Sequence, residues 1–145
     1  MTSDGTPWRP IVHINDICTA VRCALTAPPD AIRGEVFNVG SNDENYRIRE
    51  IAEIVKGAFP DCQLLFGDSG GDNRSYRVDF EKIHRQLPGF SCEWTASQGA
   101  KQFRKLFEAI RMTDEQFNAP PYTRLKCLTE LKETGQIDAD YYWTR

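Results

Sequence analysis

The stretch RIREIAEIVKGAF, residues 47–59, places Ile48, Ile51, Ile54, Val55 and Phe59 at intervals of three, four and one. That spacing gathers them on one face of a helix, which must bury its stripe against another element. Pro60 ends the run. Just before it stands GEVFNVGS, a short apolar run closed by glycine, which predicts a buried strand over 35–39. Strand-then-helix units of this kind commit the chain to a mixed α/β, helix-rich fold with short strands.

The other segments repeat the pairing. PIVHI is weakly alternating, and DICTAVRCALTA puts Ile17, Ala20, Val21, Ala24 and Leu25 on one helical face, with Asn15 or Asp16 as the expected cap and Pro28-Pro29 as the stop. QLLF reads as a second strand and GDSGGDNRS as a mobile loop; YRVD is extended. Asp79 is the expected cap of FEKIHRQL, which Pro88-Gly89 terminates. After an extended FSCEW, Thr95 caps ASQGAKQFRKLFEAI, with Ala100, Phe103, Phe107 and Ile110 as its core-facing stripe. TDEQF predicts a short helical turn, and YTRLKCLTELKETG a last helix closed by Gly135. The aromatics of DADYYWTR are expected to fold back over apolar surface.

Composition narrows the function. There is no apolar run of membrane-spanning length and no apolar signal core in MTSDGTPW, so the expectation is a cytoplasmic protein without a membrane partner. The five cysteines are scattered and never form CxxC, which fits reduced thiols and no metal site. A net charge of −3 with interspersed signs argues against nucleic acid as partner. His13 lies in an apolar segment and reads as hydrogen-bonded and structural, His84 as solvated. GxSxG, GxxxxGK[ST] and strand-linked GxGxxG are absent from the sequence, and the carboxylates of GDSGGD oppose a phosphate cradle there.

Two features rise above this background. Arg9, between Trp8 and Pro10, needs an anion or carboxylate in an otherwise apolar run. In RSYRVD, extended alternation sends Arg74 and Tyr76 to one face and Arg77 to the other. A guanidinium beside an aromatic ring suits a phosphate, and an internal salt bridge to a nearby aspartate is the competing reading.

PWRPIVHINDICTAV, GEVFNVGSNDENYRIREIAEIV and GDNRSYRVDFEKIHRQLPGFSCEWTASQGAKQF together resemble, in order along nearly the whole chain, the C-terminal part of the NAD-dependent epimerase/dehydratase family. These are extended short-chain dehydrogenase/reductases acting on nucleotide sugars. The resemblance implies a substrate-binding lobe over 1–112, with 113–145 as a C-terminal helical extension packed on the same domain, and it makes the opening segment an interior one. It implies that Arg9 contacts the substrate diphosphate and that Arg74 closes over the phosphates or nucleotide, with Asn38 and Tyr76 lining the pocket. Pro10 stands where many relatives have Asp, and Glu81 where Ser is common; neither departure removes a donor. Relatives carry, ahead of this part, a Rossmann half with an NAD(P) loop and a Tyr-x-x-x-Lys catalytic set. Here only Tyr122 has a lysine four residues on, Lys126, in the tail, and the pair reads as coincidence. No catalytic residue and no bound cofactor are therefore expected of this chain alone, NAD(P) being implied for full-length relatives. The implied partners are a nucleotide sugar and either a Rossmann-containing chain or a second copy. Such association would cover Ile11, Val12, Ile14 and the VFNV segment. The competing function is a non-catalytic interaction module or vestigial fragment.

Overall fold

The computed structural model describes residues 3–67 and 74–144. The chain divides into two compact units, Met1–Arg104 and Lys105–Arg145. In the first, β1 (Trp8–Pro10) leads to α1 (Ile14–Thr26), the short α2 (Pro29–Ile32), β2 (Asn45–Arg47), α3 (Ile48–Ala58) and α4 (Glu81–Gln86). Helix α5 (Ala96–Ala109) contains the division, and α6 (Asp114–Asn118) and α7 (Arg124–Glu133) belong to the second unit. The class is mixed α/β and helix-rich, and the sheet among the described residues is the antiparallel pair β1–β2.

The core of the first unit joins α1 to α4. Ala20, Cys23, Ile83, Leu87 and Phe90 are buried together, and Ala24, Ile32, Phe37, Val39 and Cys92 pack against them. Ile83 is the most enclosed, 1% exposed. Phe80 lies so close to Gly40 that a Cβ there would meet its ring at 2.7 Å, so position 40 has no room for a side chain. Gly89, at φ +75°, supplies the left-handed turn after α4 that a side chain would strain.

Several expected elements differ. Segment 35–39 is extended but joins no ladder, because no backbone partner lies along it among the described residues; Phe37 and Val39 still turn inward while Val36 is exposed. QLLF also forms no ladder among the described residues, and Leu65 and Phe66 are exposed. The stripe on α1 is narrower than its periodicity suggests: Ala20 and Cys23 are buried, but Val21 is 54% and Leu25 82% exposed. On α5 only Gly99 and Ala100 are buried, and Phe103 and Ile110 face outward. Residues 68–73 of the expected mobile loop lie outside the described residues.

The helix ends show which caps the chain uses. α1 is capped by His13 rather than Asn15 or Asp16: its Nδ1 accepts from the Asn15 amide at 3.1 Å. The ring also lies flat on Trp94, centroids 3.9 Å apart, and its Nε2 bonds Gln102 Oε1 at 2.7 Å, so Nε2 carries the proton. His84 is a strut rather than merely solvated, with Nε2 2.8 Å from the Gly40 carbonyl. Thr95 caps α5 as expected and does so reciprocally with Gln98, the Thr95 amide donating to Gln98 Oε1 at 2.8 Å. Asp79 accepts from the Glu81 amide at 2.8 Å at the start of α4.

In the second unit Thr113 and Gln116 cap α6 reciprocally, and Gly135, at φ +69°, follows α7 as expected. Residues 136–144 close into a small clasp in which Asp138 Oδ1 accepts from the Asp140 and Tyr142 amides, and Ile137 bridges Trp143. Tyr141, Tyr142 and Trp143 do not cover apolar surface; the clasp turns them outward, Trp143 71% exposed. All five cysteines are free thiols.

Candidate functional site: two rows on one ribbon

β1 and β2 pair with Trp8 opposite Arg47, Arg9 opposite Tyr46 and Pro10 opposite Asn45. On the other edge of β1 runs the extended segment 74–78, held mostly by side chains standing in for a ladder. The Trp8 amide donates to Ser75 Oγ at 3.1 Å, and the Tyr76 amide to the Trp8 carbonyl at 3.3 Å. Asn45 then acts as a false strand. Its Nδ2 donates to the Val78 carbonyl at 3.0 Å and its Oδ1 accepts from the Val78 amide at 2.9 Å, while Asn42 Oδ1 takes the Phe80 amide at 2.8 Å. These amides fix where residues 74–77 fall against β1.

Strand alternation sends neighbouring side chains to opposite faces, so the ribbon carries two rows. On one face Arg9 lies between Tyr46, its cross-strand partner, and Tyr76, its guanidinium carbon 5.2 Å from the Tyr76 ring centroid. Arg9 Nη1 donates to the carbonyls of Trp8 and Arg74. On the other face Trp8 lies between Arg47, at 5.4 Å from its ring centroid, and Arg77, at 4.8 Å. The alternation expected of RSYRVD therefore holds for Tyr76 and Arg77. Arg9 thus meets the ring of Tyr76 and the backbone carbonyl of Arg74, from a segment some 65 residues further along the chain. Asn38 is exposed on segment 35–39 and makes no hydrogen bond to these three among the described residues.

Of two buried carboxylates, Glu44 braces this ribbon and Asp16 ties α1 to the segment before α5. Glu44 accepts from Tyr46 Oη at 3.0 Å and from the Ala96 amide, the first of α5, at 2.7 Å. A carboxylate at that amide also complements the positive end of the helix. Asp16 accepts from the Glu93 and Trp94 amides at 3.1 and 3.2 Å. Burial, then the hydrogen bond and charge of Glu44, push the Tyr46 phenol up to about 12. It is a neutral donor at ordinary pH and no base. Burial first, then Asp16 and Glu44, push the Cys92 thiol up to about 11, which removes it as a nucleophile.

Residues 1–40 match the NAD dependent epimerase/dehydratase family. The matched span holds Trp8, Arg9, Asn38 and α1; Arg74 and Tyr76 lie beyond it. Full-length members of an NAD-dependent family imply NAD, and the residues described here do not fit it. Their one sheet is an antiparallel pair, and no strand among them turns through glycines into a helix N-terminus of the sort that cradles pyrophosphate. Among the described residues no cluster of His, Cys, Asp or Glu suits a metal ion, and no helix is long and apolar enough to cross a membrane.

The sequence pattern missed Asn42, Asn45, Glu44 and Ser75 as the residues that position the arginines. The signal available was the run SNDEN, whose short polar side chains favour bonding to backbone over continuing a ladder. Trp8 and Arg47 were invisible as a pair, because register between separated strands is a tertiary property.

Proposed function

We propose that the chain is the C-terminal substrate-binding portion of an NAD-dependent nucleotide-sugar epimerase/dehydratase, an extended short-chain dehydrogenase/reductase, and that it is unable to catalyse alone. Arg9 and Arg74 take the diphosphate, and Tyr76 flanks it. The observation that supports this reading is that Arg9 lies against Tyr76 and the backbone of Arg74, which brings segment 74–76 to the edge of β1 beside it. The family match over residues 1–40 supports the class. A diphosphate carries about two charges, and planar guanidinium forks satisfy it with paired hydrogen bonds. Chemistry on the sugar belongs to a Rossmann half, supplied in this reading by another part of the protein or by a partner chain.

Isothermal titration with UDP- and dTDP-sugars tests the proposal. Binding that Arg9→Ala and Arg74→Ala each weaken by at least about tenfold supports it. No binding at millimolar ligand favours the second reading, an interaction module associating through apolar surface. That reading draws on the exposure of Val12, Ile14 and Val36 and of Val21 and Leu25 on α1, although Phe37 and Val39 are taken up by the chain's own core. A clear affinity for NAD would refute the assignment of the cofactor to a separate half.

A further inference from the structure

We propose that Glu44 is a positioning residue for the Arg9 site, fixing the Tyr46 ring that stands beside the guanidinium. The inference rests on the nucleotide-sugar reading and names a group beyond the arginines that sets affinity there. Glu44 is 7% exposed, and both of its carboxylate oxygens are engaged. Oε1 accepts from Tyr46 Oη at 3.0 Å and Oε2 from the Ala96 amide at 2.7 Å. One buried side chain therefore joins β2 to the first amide of α5, and the positive end of that helix favours its negative charge.

Tyr46 carries this anchor to the site. It stands directly opposite Arg9 in the β1–β2 register, so the two side chains share a face, and Cβ atoms in such a pair are about 4.5–5.5 Å apart. Arg9 is held from its other side by segment 74–76. Its guanidinium carbon lies 5.2 Å from the Tyr76 ring centroid, and Nη1 donates to the Arg74 carbonyl. Tyr76 is exposed, whereas Tyr46 is half-buried and tethered through its hydroxyl. A phenol oxygen bonded to a fixed carboxylate leaves the ring one orientation; a ring free to turn would sweep the space in which the guanidinium meets a phosphate. The tether needs the phenol to keep its proton, and burial, then the bond to Glu44, push that group up to about 12. Of the two rings flanking Arg9, Tyr46 is thus the fixed one.

Isothermal titration of the full chain with a UDP-sugar and a dTDP-sugar tests the role, alongside phenolate absorbance. Glu44→Ala and Tyr46→Phe are each expected to weaken binding by at least about fivefold, and the double variant by no more than either alone, because both cut the same tether. Tyr46→Phe keeps the ring, so it tests the tether even where Glu44→Ala does not fold. Glu44→Gln should keep most of the affinity, since its oxygen can take the Ala96 amide while its NH2 donates to the phenol oxygen. In that variant the late tyrosine ionisation should nevertheless move to lower pH, the carboxylate's charge being gone. Binding that Arg9→Ala weakens and Tyr46→Phe leaves unchanged, or losses that add in the double variant, overturns the proposal and leaves the nucleotide-sugar reading standing. No binding by the unaltered chain at millimolar ligand overturns both.

Discussion

Within the first unit the described hydrogen bonds reach across long stretches of sequence, whereas within the second those described join residues no more than nine positions apart. In the first, Asp16 holds the amides of residues 93 and 94, Glu44 that of residue 96, and Asn45 both backbone groups of residue 78. In the second, the polar ties are local: the Thr113–Gln116 cap, Lys126 to the Asn118 carbonyl, Asp138 to residues 140 and 142. Ile137 is its one buried hydrophobic residue among those described. A segment near 40 residues with so little enclosed apolar surface gains little from burial. Long-range ties make unfolding of the first unit cooperative; local ties let the second open piecemeal.

The sharpest way to break this contrast is a cavity at Ile83. Ile83→Ala is expected to destabilise the first unit by about 2–5 kcal/mol, read by chemical denaturation, with little effect on local exchange in α7. Next come the buried carboxylates. Asp16→Asn sets an amide hydrogen opposite a backbone N–H, and the expected loss is about 1–3 kcal/mol, with exchange at residues 93 and 94 rising together. Thr113→Ala should cost about 1 kcal/mol and be confined to exchange in α6. An equal response across both units would show that the local ties are not local in effect.

Two smaller effects depend on pH. Tyr46 has a folded pKa raised to about 12 from an ordinary 10.0, so its contribution is complete below pH about 10 and is lost as pH rises toward 12. Phenolate absorbance should therefore show one late-ionising tyrosine, and Tyr46→Phe should remove it. Cys92, raised to about 11 from 9.0, should be alkylated more slowly than exposed Cys18 and Cys62 at mildly alkaline pH.

Legibility from the sequence followed the range of the interaction. The bodies of α1, α3, α5 and α7 and the caps at Thr95 and Gly135 were readable, because periodicity and capping act within a few residues. The strand at 35–39 was not: an apolar run signals burial, which Phe37 and Val39 obey, but a ladder needs a partner that local pattern does not supply. His13 as a cap escaped notice because imidazole is an uncommon acceptor there, and its stacking on Trp94 is a contact over 81 positions.

The same division holds at the ribbon. By itself the chain's order of residues determined that Tyr76 and Arg77 diverge and that Arg9 stands in an apolar setting, since alternation is a property of any extended backbone. Only tertiary structure decided that Arg9 meets Arg74 and Tyr76 while Trp8 meets Arg47 and Arg77. The reason is physical: strand register and the amides of Asn42 and Asn45 set those meetings, and their free energy depends on groups brought together from residues 8, 45 and 78.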